Sequence, residues 1–364
     1  MPGKKKPAKG KTAKKKPPAA KKRSSAKKEP SPKKTKPREG KAADSEAAGK
    51  PKEEERGGAK RVRFPIVGIG ASAGGLEALQ GFFSRVGADT GIAFIVVTHL
   101  HPGHTSMLPE LLAKETAMPV HEAEDGQPIE PNNVYVAAPG GPIGIDDGHI
   151  TRIDLDKEET PVLAVDHLFR SLARDCREHA IGIVLSGTGS DGTLGVRAVK
   201  AESGMAMVQK PESAKYAGMP SSAISTGLVD YVLPVEEMPQ QLENYVRGPY
   251  LQPRERAAAE AAMPEEILKR ILMQLRKRTG HDFTSYKMNT VRRRIERRMN
   301  VHQVETPDDY LKYLQENPAE TDQLFSELLI SVTSFFRDPQ AFDTLKGAVV
   351  ELLRERPDDH KLRA

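Results

Sequence analysis

The chain has 364 residues and a formal net charge of +6, a length that allows two domains and a tail. It contains a single cysteine, which excludes an intramolecular disulfide, and no apolar run approaches the ~20 residues of a membrane-spanning helix. A reducing, cytoplasmic setting is therefore expected. The charge is uneven: residues 1–60 hold 22 Lys and Arg against 7 Asp and Glu, a net of +15, whereas the remainder carries −9.

Residues 1–60 are rich in Lys, Ala and Pro and contain no aromatic residue. Such a segment cannot bury enough apolar surface to offset its ordering entropy, so we predict a disordered tail. Its charge suits an anionic partner such as nucleic acid or anionic lipid. Because a basic block alone specifies no target, a merely solubilising tail is the alternative.

From Phe64 onward, apolar runs alternate with helical patterns. The runs "FPIVGIG", "GIAFIVVTHL" and "AIGIVLSG" predict buried strands, and "GGLEALQGFFSRV" and "VDHLFRSLARDCREH" predict amphipathic helices. Shorter strands are predicted in "NVYVAAP", "MAMVQ" and "LVDYVLP", shorter helices in "SMLPELLAKE", "TLGVRAVKAE" and "PSSAISTG", and a hairpin in "IGIDDGHITRID". Residues 63–247 are thus predicted to form a doubly wound, mostly parallel α/β sheet, with a site at the carboxyl ends of its strands.

The sequence pattern changes after a predicted linker at residues 248–263. Residues 264–350 show helical periodicity without strand runs, and residues 351–364 look like the start of a further, truncated region. In "NTVRRRIERRM", Val291, Ile295 and Met299 form one apolar edge of a helix. Arginines fill the rest, which predicts a solvated basic face or, alternatively, a surface for an acidic partner.

Three polar residues follow three of the predicted buried strands. Ser72 follows the first, His99 the second and Asp191 the third. A histidine can take the proton of a serine hydroxyl, and a carboxylate can hold the imidazole in the required tautomer. Ser72 also opens a helix whose glycine N–H groups could stabilise an oxyanion. These positions predict a serine nucleophile with its base and orienting acid.

Other interpretations of these residues exist. Ser72 could be a helix N-cap and Asp191 a turn residue. Gly68-x-Gly70-x-x-Ala73 fits a loose dinucleotide pattern, but no acidic residue ends the second strand, where Thr98 and His99 stand. The histidines of "HLHPGH" resemble part of a zinc motif of the metallo-β-lactamase fold. That fold is a β-sandwich, so no metal is expected here.

Five segments together resemble the catalytic domain of CheB-type chemotaxis protein-glutamate methylesterases: "GIGASAGGLEAL", "THLHPGHTSMLPELL", "PVLAVDHLF", "LSGTGSDGTLGV" and "YAGMPSSAI". The resemblance implies hydrolysis of glutamate methyl esters on methyl-accepting chemoreceptors, and possible glutamine deamidation. It assigns the nucleophile to Ser72, the base to His99 and the orienting acid to Asp191, without a cofactor. It places the oxyanion site at Ala73 and Thr188, where we expect backbone donors.

Two later segments, "FTSYKMNTVRRRIERRM" and "LLISVTSFFRDPQAF", resemble the N-terminal helical domain of CheR-type chemoreceptor methyltransferases. The resemblance implies that Thr333, Phe335 and Arg337 contact S-adenosylmethionine, with binding expected only if a larger cofactor domain follows. Arg293, Arg294 and Arg297 are predicted to bind the acidic receptor helix.

The sequence therefore predicts a protein-glutamate methylesterase fused to a partial methyltransferase. The alternative is a non-catalytic scaffold that binds receptor helices or a partner kinase.

Overall fold

The computed structural model describes the chain in five stretches, which are residues 64–98, 107–138, 141–153, 163–252 and 263–330. The predicted tail and residues 351–364 lie outside them. Residues 64–252 are called the α/β region below, and residues 263–330 the helical region. In these stretches, no helix has both the length and the apolar character needed to cross a membrane.

Nine strands occur in the described part of the α/β region. In chain order they are β1 (Ile66–Ala71), β2 (Ala93–Thr98), β3 (Val120–Glu122), β4 (Val134–Val136), β5 (Ile143–Asp146), β6 (His149–Arg152), β7 (Ala180–Val184), β8 (Met205–Gln209) and β9 (Tyr231–Leu233). Seven form one sheet in the order β3-β4-β2-β1-β7-β8-β9, and each neighbouring pair is parallel. Strands β5 and β6 form the predicted antiparallel hairpin.

Helices cover both faces of this sheet, as predicted for a doubly wound fold. Those of the α/β region are α1 (Gly75–Phe83), α2 (Leu108–Leu112), α3 (Ala164–Cys176), α4 (Thr193–Ala201), α5 (Gly218–Ile224) and α6 (Met238–Arg247). One hydrophobic core lies under α1, α2 and α6, and a second lies under α3, α4 and α5. Strand β1 is buried along its whole length because it contributes to both cores.

Glycines occupy the positions of β1 and β7 that lie closest to α3. A Cβ atom on Gly68 would lie 3.1 Å from the ring of Phe169, and one on Gly182 would lie equally close to that ring. A Cβ on Gly70 would lie 2.2 Å from Val165. These strand glycines therefore let α3 pack directly on the backbone of β1 and β7.

The helical region has its own core, as the periodicity predicted. Its helices are α7 (Glu265–Thr279), α8 (Met288–Val301), α9 (Pro307–Glu316) and α10 (Pro318–Leu329). The predicted apolar edge of α8 is buried in this core, with Val291 and Ile295 at 1% and 0% exposure. Helix α9 begins at an N-cap, where the Thr306 hydroxyl accepts a hydrogen bond from the N–H of Asp309.

A buried carboxylate joins three helices of this region. Glu320 on α10 accepts hydrogen bonds from Arg298 of α8 and from the hydroxyl of Tyr310 of α9 (2.7 Å), and its Oε2 lies 2.7 Å from Nε2 of His302. Burial by itself raises the pKa of Glu320, but His302 and Arg298 together lower it to about 2. The ionised carboxylate is thus the form that the fold stabilises.

Replacement of Gly195 tests the close approach of α3 and α4. A Cβ at Gly195 would lie 2.5 Å from Cβ of Phe169, which cannot move without its backbone. Gly195→Ala should lower the free energy of unfolding by about 1–3 kcal/mol. The control Gly81→Ala, also in a helix, meets no atom closer than 3.5 Å. It should be neutral or stabilise by up to about 1 kcal/mol in urea unfolding. Equal effects of the two changes would contradict the proposed packing.

The pKa of Glu320 predicts a specific loss of stability in acid. Because its folded-state pKa of about 2 lies below the ordinary 4.5, its contribution is present above pH 5 and is lost as the pH falls toward 2. Glu320→Gln should cost up to about 3 kcal/mol at pH 6 and much less near pH 2.5. The exposed Glu265→Gln serves as control and should follow the wild type in urea titrations at each pH. A pH-independent cost of Glu320→Gln would contradict this assignment.

Candidate active site

Ser72 lies directly after the central strand β1, where the chain turns toward α1. Its backbone N–H donates to the carbonyl of Ser186 (2.9 Å), and its own carbonyl accepts from the N–H of Gly75 (2.9 Å). The turn contains Gly74 at φ +70°, and a Cβ there would lie 2.8 Å from Ser186 Oγ. The position of Ser72 is therefore fixed by backbone hydrogen bonds and by a glycine that other residues could not replace without strain.

Asp191 is buried at the carboxyl end of the neighbouring strand β7, with 2% exposure. Its Oδ2 accepts from the N–H of Val165 (3.0 Å), and its Oδ1 accepts from the N–H groups of Asp166 (2.9 Å) and Gly192 (2.8 Å). Two of these donors belong to the first turn of α3, whose N-terminus favours a negative charge. The carboxylate is thus held in one orientation by three backbone donors, as an orienting acid requires.

Strand β2 ends beside the end of β1, the strand that leads to Ser72. In the parallel pairing of β1 with β2, Thr98 is aligned with Ala71, the residue before Ser72. His99, the predicted base, is the next residue after Thr98 and lies outside the described residues, as do His101 and His104 of the alternative metal motif.

The loop after β7 passes close to Ser72. A Cβ on Gly187 would lie 3.0 Å from Cβ of Ser72, so the predicted oxyanion residue Thr188 follows a backbone segment in near contact with the nucleophile. Gly218, in turn, approaches the Cα of Thr188, where an added Cβ would lie at 3.2 Å. Ala73, the other predicted oxyanion residue, directly follows Ser72. The oxyanion role of both backbones stays a prediction.

Ser186 connects the two loops and was not predicted from the sequence. Its hydroxyl donates to the carbonyl of Ala73 (2.9 Å) and accepts from the N–H of Tyr216 (3.0 Å). Its N–H donates to Oε1 of Gln209 (2.8 Å) at the end of β8. Ser186 lies in the segment "LSGTGSDGTLGV", but the resemblance assigned it no role, and Gln209 belongs to none of the five segments.

Asp166 was also missed, although it follows the predicted helix start. It is buried, and its Oδ1 accepts from the N–H of Gly195 in the first turn of α4 (2.7 Å). Burial raises the pKa of Asp166, and the nearby Asp191 raises it further. The N–H of Asp166 in α3 donates to Asp191, and its carboxyl group accepts from Gly195 in α4. Asp166 therefore links Asp191 to both helices.

Comparison with known families agrees with this arrangement. Residues 67–242 match the family model described as CheB methylesterase, and residues 266–329 match the one described as CheR methyltransferase, all-alpha domain. The chain joins a CheB methylesterase domain to a CheR all-alpha domain. The α/β region contains the CheB domain, and the helical region contains the CheR all-alpha domain.

Three relatives illustrate the resemblance. An uncharacterized 104.1 kDa protein in the hypE 3′ region of Rhodobacter capsulatus is 37% identical over 266 residues, which are 68% of this chain and 28% of that protein. A protein-glutamate methylesterase/protein-glutamine glutaminase of the group 3 operon of Rhizobium meliloti is 32% identical over 192 residues, 52% of this chain and 53% of the relative. The crystal structure of the Thermotoga maritima CheB methylesterase catalytic domain is 32% identical, with a TM-score of 0.48, and covers 51% of this chain and 100% of that one.

This chain spans about half the length of the methylesterases that it matches. The matched segments of about 190 residues in those relatives are close in length to the CheB family region, residues 67–242.

The CheR domain corrects one prediction, because its arginines do not form a solvated face. Arg297 is 0% exposed and Arg294 is 5% exposed, and the latter donates to the carbonyl of Ile330. Arg293 is half-buried in an ion pair with Glu178 of the CheB domain (2.9 Å). Arg294 and Arg297 are thus buried and Arg293 is already paired, and the receptor-binding role of the three arginines stays a prediction. Thr333, Phe335 and Arg337, the predicted cofactor residues, lie outside the described residues.

Ser186 provides a test of how the two loops are joined. Ser186→Ala removes the donor to the Ala73 carbonyl and the acceptor for the Tyr216 N–H, both in partly buried surroundings. The free energy of unfolding should fall by about 2 kcal/mol. Ser225→Ala, which removes an exposed hydroxyl bonded only to the Ser222 carbonyl, should change it by less than about 0.5 kcal/mol. Similar urea midpoints for the two variants would show that Ser186 does not join the loops.

Proposed function

We propose that the CheB domain is a serine esterase that hydrolyses the methyl esters of glutamate side chains in methyl-accepting chemoreceptors and also deamidates glutamine. The observation that carries this proposal is the position of Ser72 and Asp191 at the carboxyl ends of adjacent parallel strands, with the Asp191 carboxylate held by three backbone donors. The names of the methylesterase relatives support the substrate class.

In the proposed reaction, His99 removes the proton of the Ser72 hydroxyl as Oγ attacks the ester carbonyl. Asp191 holds the imidazole in the tautomer that accepts this proton and stabilises the imidazolium that forms. The carbonyl π electrons move to oxygen, giving a tetrahedral oxyanion for which the backbone N–H groups of Ala73 and Thr188 are the proposed donors. Collapse expels methoxide, which takes the proton from His99 and leaves as methanol.

The second half of the reaction releases the enzyme. His99 removes a proton from water, the hydroxide attacks the acyl carbon on Ser72, and the C–O bond to Ser72 breaks as Oγ takes the proton back. The product is the glutamate carboxylic acid, which ionises at neutral pH. With a glutamine side chain, ammonia replaces methanol as the leaving group. Neither half needs a cofactor.

The position of Thr98 supports His99 as the base. Thr98 is aligned with Ala71 across the β1–β2 pair. His99 follows Thr98 in the chain and Ser72 follows Ala71, so the two residues come directly after neighbouring strand positions. Ser72 is thus flanked by β2 on one side and by β7, which leads to Asp191, on the other.

The remaining parts of the proposal rest on the sequence. A cytoplasmic location accords with a chain whose single cysteine, Cys176, is buried and free. S-adenosylmethionine is proposed as a ligand of Thr333, Phe335 and Arg337 only in company with a glycine-rich cofactor domain. The net +15 of residues 1–60 supports a salt-sensitive attraction to an anionic partner and no specific target.

Substitution of Ser72 tests the proposed chemistry. Ser72→Ala should lower methanol release from a methylated receptor fragment by roughly 10⁴-fold or more, and His99→Ala should be about as severe, because the three residues act as a unit. The control Ser84→Ala removes a hydroxyl that bonds the Gly81 carbonyl at the end of α1 and should retain full turnover.

Near-normal methanol release by Ser72→Ala would exclude the serine mechanism. Wild-type protein that binds the receptor fragment but releases no methanol would favour the scaffold alternative. A chelator should leave turnover unchanged, and a strong loss would favour the histidine cluster as a metal site.

A further inference from the structure

The side chain of Arg297, on α8 of the CheR domain, reaches into the CheB domain. Its Nε donates to the carbonyls of Ser203 (3.2 Å) and Gly204 (3.1 Å), in the turn between α4 and β8. Its Nη2 donates to the Gly204 carbonyl (2.7 Å) and to Oδ2 of Asp230 (2.5 Å). We call these three acceptors, the two carbonyls and the Asp230 carboxylate, the arginine socket.

The CheR domain closes the other side of the guanidinium. Nη1 of Arg297 donates to both carboxylate oxygens of Glu327 on α10, each at 2.8 Å. Glu327 also lies 3.4 Å from Nζ of Lys200, which in turn donates to Asp230 (2.7 Å). Arg298 adds a further contact to Asp230 (3.2 Å). Charges of both signs from both domains therefore alternate in one cluster.

This cluster is almost completely removed from solvent. The side chains of Arg297 and Asp230 are 0% exposed, and those of Lys200 and Glu327 are 2% and 3% exposed. Burial of such charges costs several kcal/mol per ion unless each is paired and hydrogen-bonded. Burial by itself raises the pKa of Asp230, but Arg297, Lys200 and Arg298 lower it on balance, which keeps the carboxylate ionised. Lys200 pairs with Asp230 within the CheB domain and Arg297 pairs with Glu327 within the CheR domain, and the bonds of Arg297 and Arg298 to Asp230 join these two buried ion pairs across the contact.

The socket is preformed on the CheB side. Asp230 also accepts from the N–H of Ala206 at the start of β8 (2.9 Å), which fixes its carboxylate relative to the sheet. Ser203 adopts a left-handed φ of +68°, and a Cβ on Gly204 would lie 2.4 Å from the Ala180 carbonyl. The two carbonyls are thus presented by a turn with little freedom to move, which lowers the entropic cost of binding a planar guanidinium.

Further polar contacts surround the socket. The hydroxyl of Tyr231 on β9 donates to the carbonyl of Val301 (2.6 Å), and Nδ2 of Asn300 donates to the carbonyl of Tyr245 on α6 (3.0 Å). Together with the Arg293–Glu178 ion pair, they extend the contact across β9, α6 and the turn before β7. The second half of α8 is consequently buried on all sides, with every residue from Arg294 to Val301 buried.

We propose that the arginine socket is the docking surface of the CheB domain for the CheR all-alpha domain, and that Arg297 anchors the two into one cooperatively unfolding body. The inference does not depend on the esterase activity. In this view the basic helix α8 holds the domains together, and the position of the CheR domain relative to the esterase site is fixed.

Two variants of the whole chain test the anchor from opposite sides. Arg297→Met removes the positive charge that pairs with the carboxylates of Asp230 and Glu327. Asp230→Asn removes the negative charge of the arginine socket. Each should lower the midpoint of thermal unfolding by about 10 °C. Arg278→Met is the matched control, because Arg278 makes a bidentate but exposed pair with Asp322 in the CheR domain. It should shift the midpoint by no more than about 2 °C. Because the chain has no tryptophan, the measurement is calorimetry combined with hydrogen exchange by mass spectrometry.

The proposal expects one calorimetric transition in the wild type. Asp230→Asn, made in the CheB domain, should speed exchange in α8 and α10 of the CheR domain by roughly a hundredfold. The double variant Arg297→Met, Asp230→Asn should lose less stability than the sum of the single variants. If Arg297→Met does not fold, Arg297→Lys serves in its place and should be intermediate, since a lysine cannot reach all three acceptors.

Three results would overturn it. They are two separate transitions in the wild type, unchanged exchange in α8 and α10 of Asp230→Asn, or additive effects in the double variant. Since none of these readouts requires turnover, failure of this proposal is distinguishable from failure of the esterase assignment.

Discussion

The absence of a side chain at Gly68 and Gly70, on the face of β1 under α3, is the constraint on which the site depends. Gly68 and Gly70 let α3 lie against the strand backbone, with Val165 over Gly70 and Phe169 over Gly68. This depth of packing brings the first turn of α3 to the carboxyl edge of the sheet, where its N–H groups of Val165 and Asp166 reach Asp191. A side chain at Gly70 would displace Val165, and with it the hydrogen bonds that orient the acid.

The same residues explain why a dinucleotide pattern occurs in this sequence. Gly68 and Gly70 satisfy the spacing of a phosphate-binding loop, but both lie inside β1 and serve the packing of a helix. The glycine that shapes the loop is Gly74, at positive φ between Ser72 and α1. Glycine spacing alone does not distinguish these roles, because close packing and phosphate binding both require a missing side chain.

Buried polar residues organise the molecule at two levels. Within the CheB domain, Ser186 and Asp166 tie the loops and helices around Ser72 and Asp191 to one another. Between the domains, the cluster around Arg297 joins one ion pair of each domain, Lys200–Asp230 and Arg297–Glu327, into a single buried network. In both places the polar groups are satisfied by partners distant in the chain, which makes them specific to one arrangement of the elements.

The sequence by itself determined the strand–helix alternation, the positions of Ser72 and Asp191 at strand ends, and the separate helical region. These follow from local patterns, namely buried runs such as Ile66–Ala71 and the repeat of Val291, Ile295 and Met299. Strand β3 and helix α6 were not predicted; β3 has only three residues, which are partly or fully exposed and carry no periodicity. The tertiary structure alone decided the environment of each polar side chain. The arginines of α8 looked solvated because their neighbours in sequence are polar, yet Arg297 is buried by Ser203, Gly204 and Asp230, which lie 67–94 residues away. Burial depends on which distant surfaces meet, and a local pattern contains no information about that meeting.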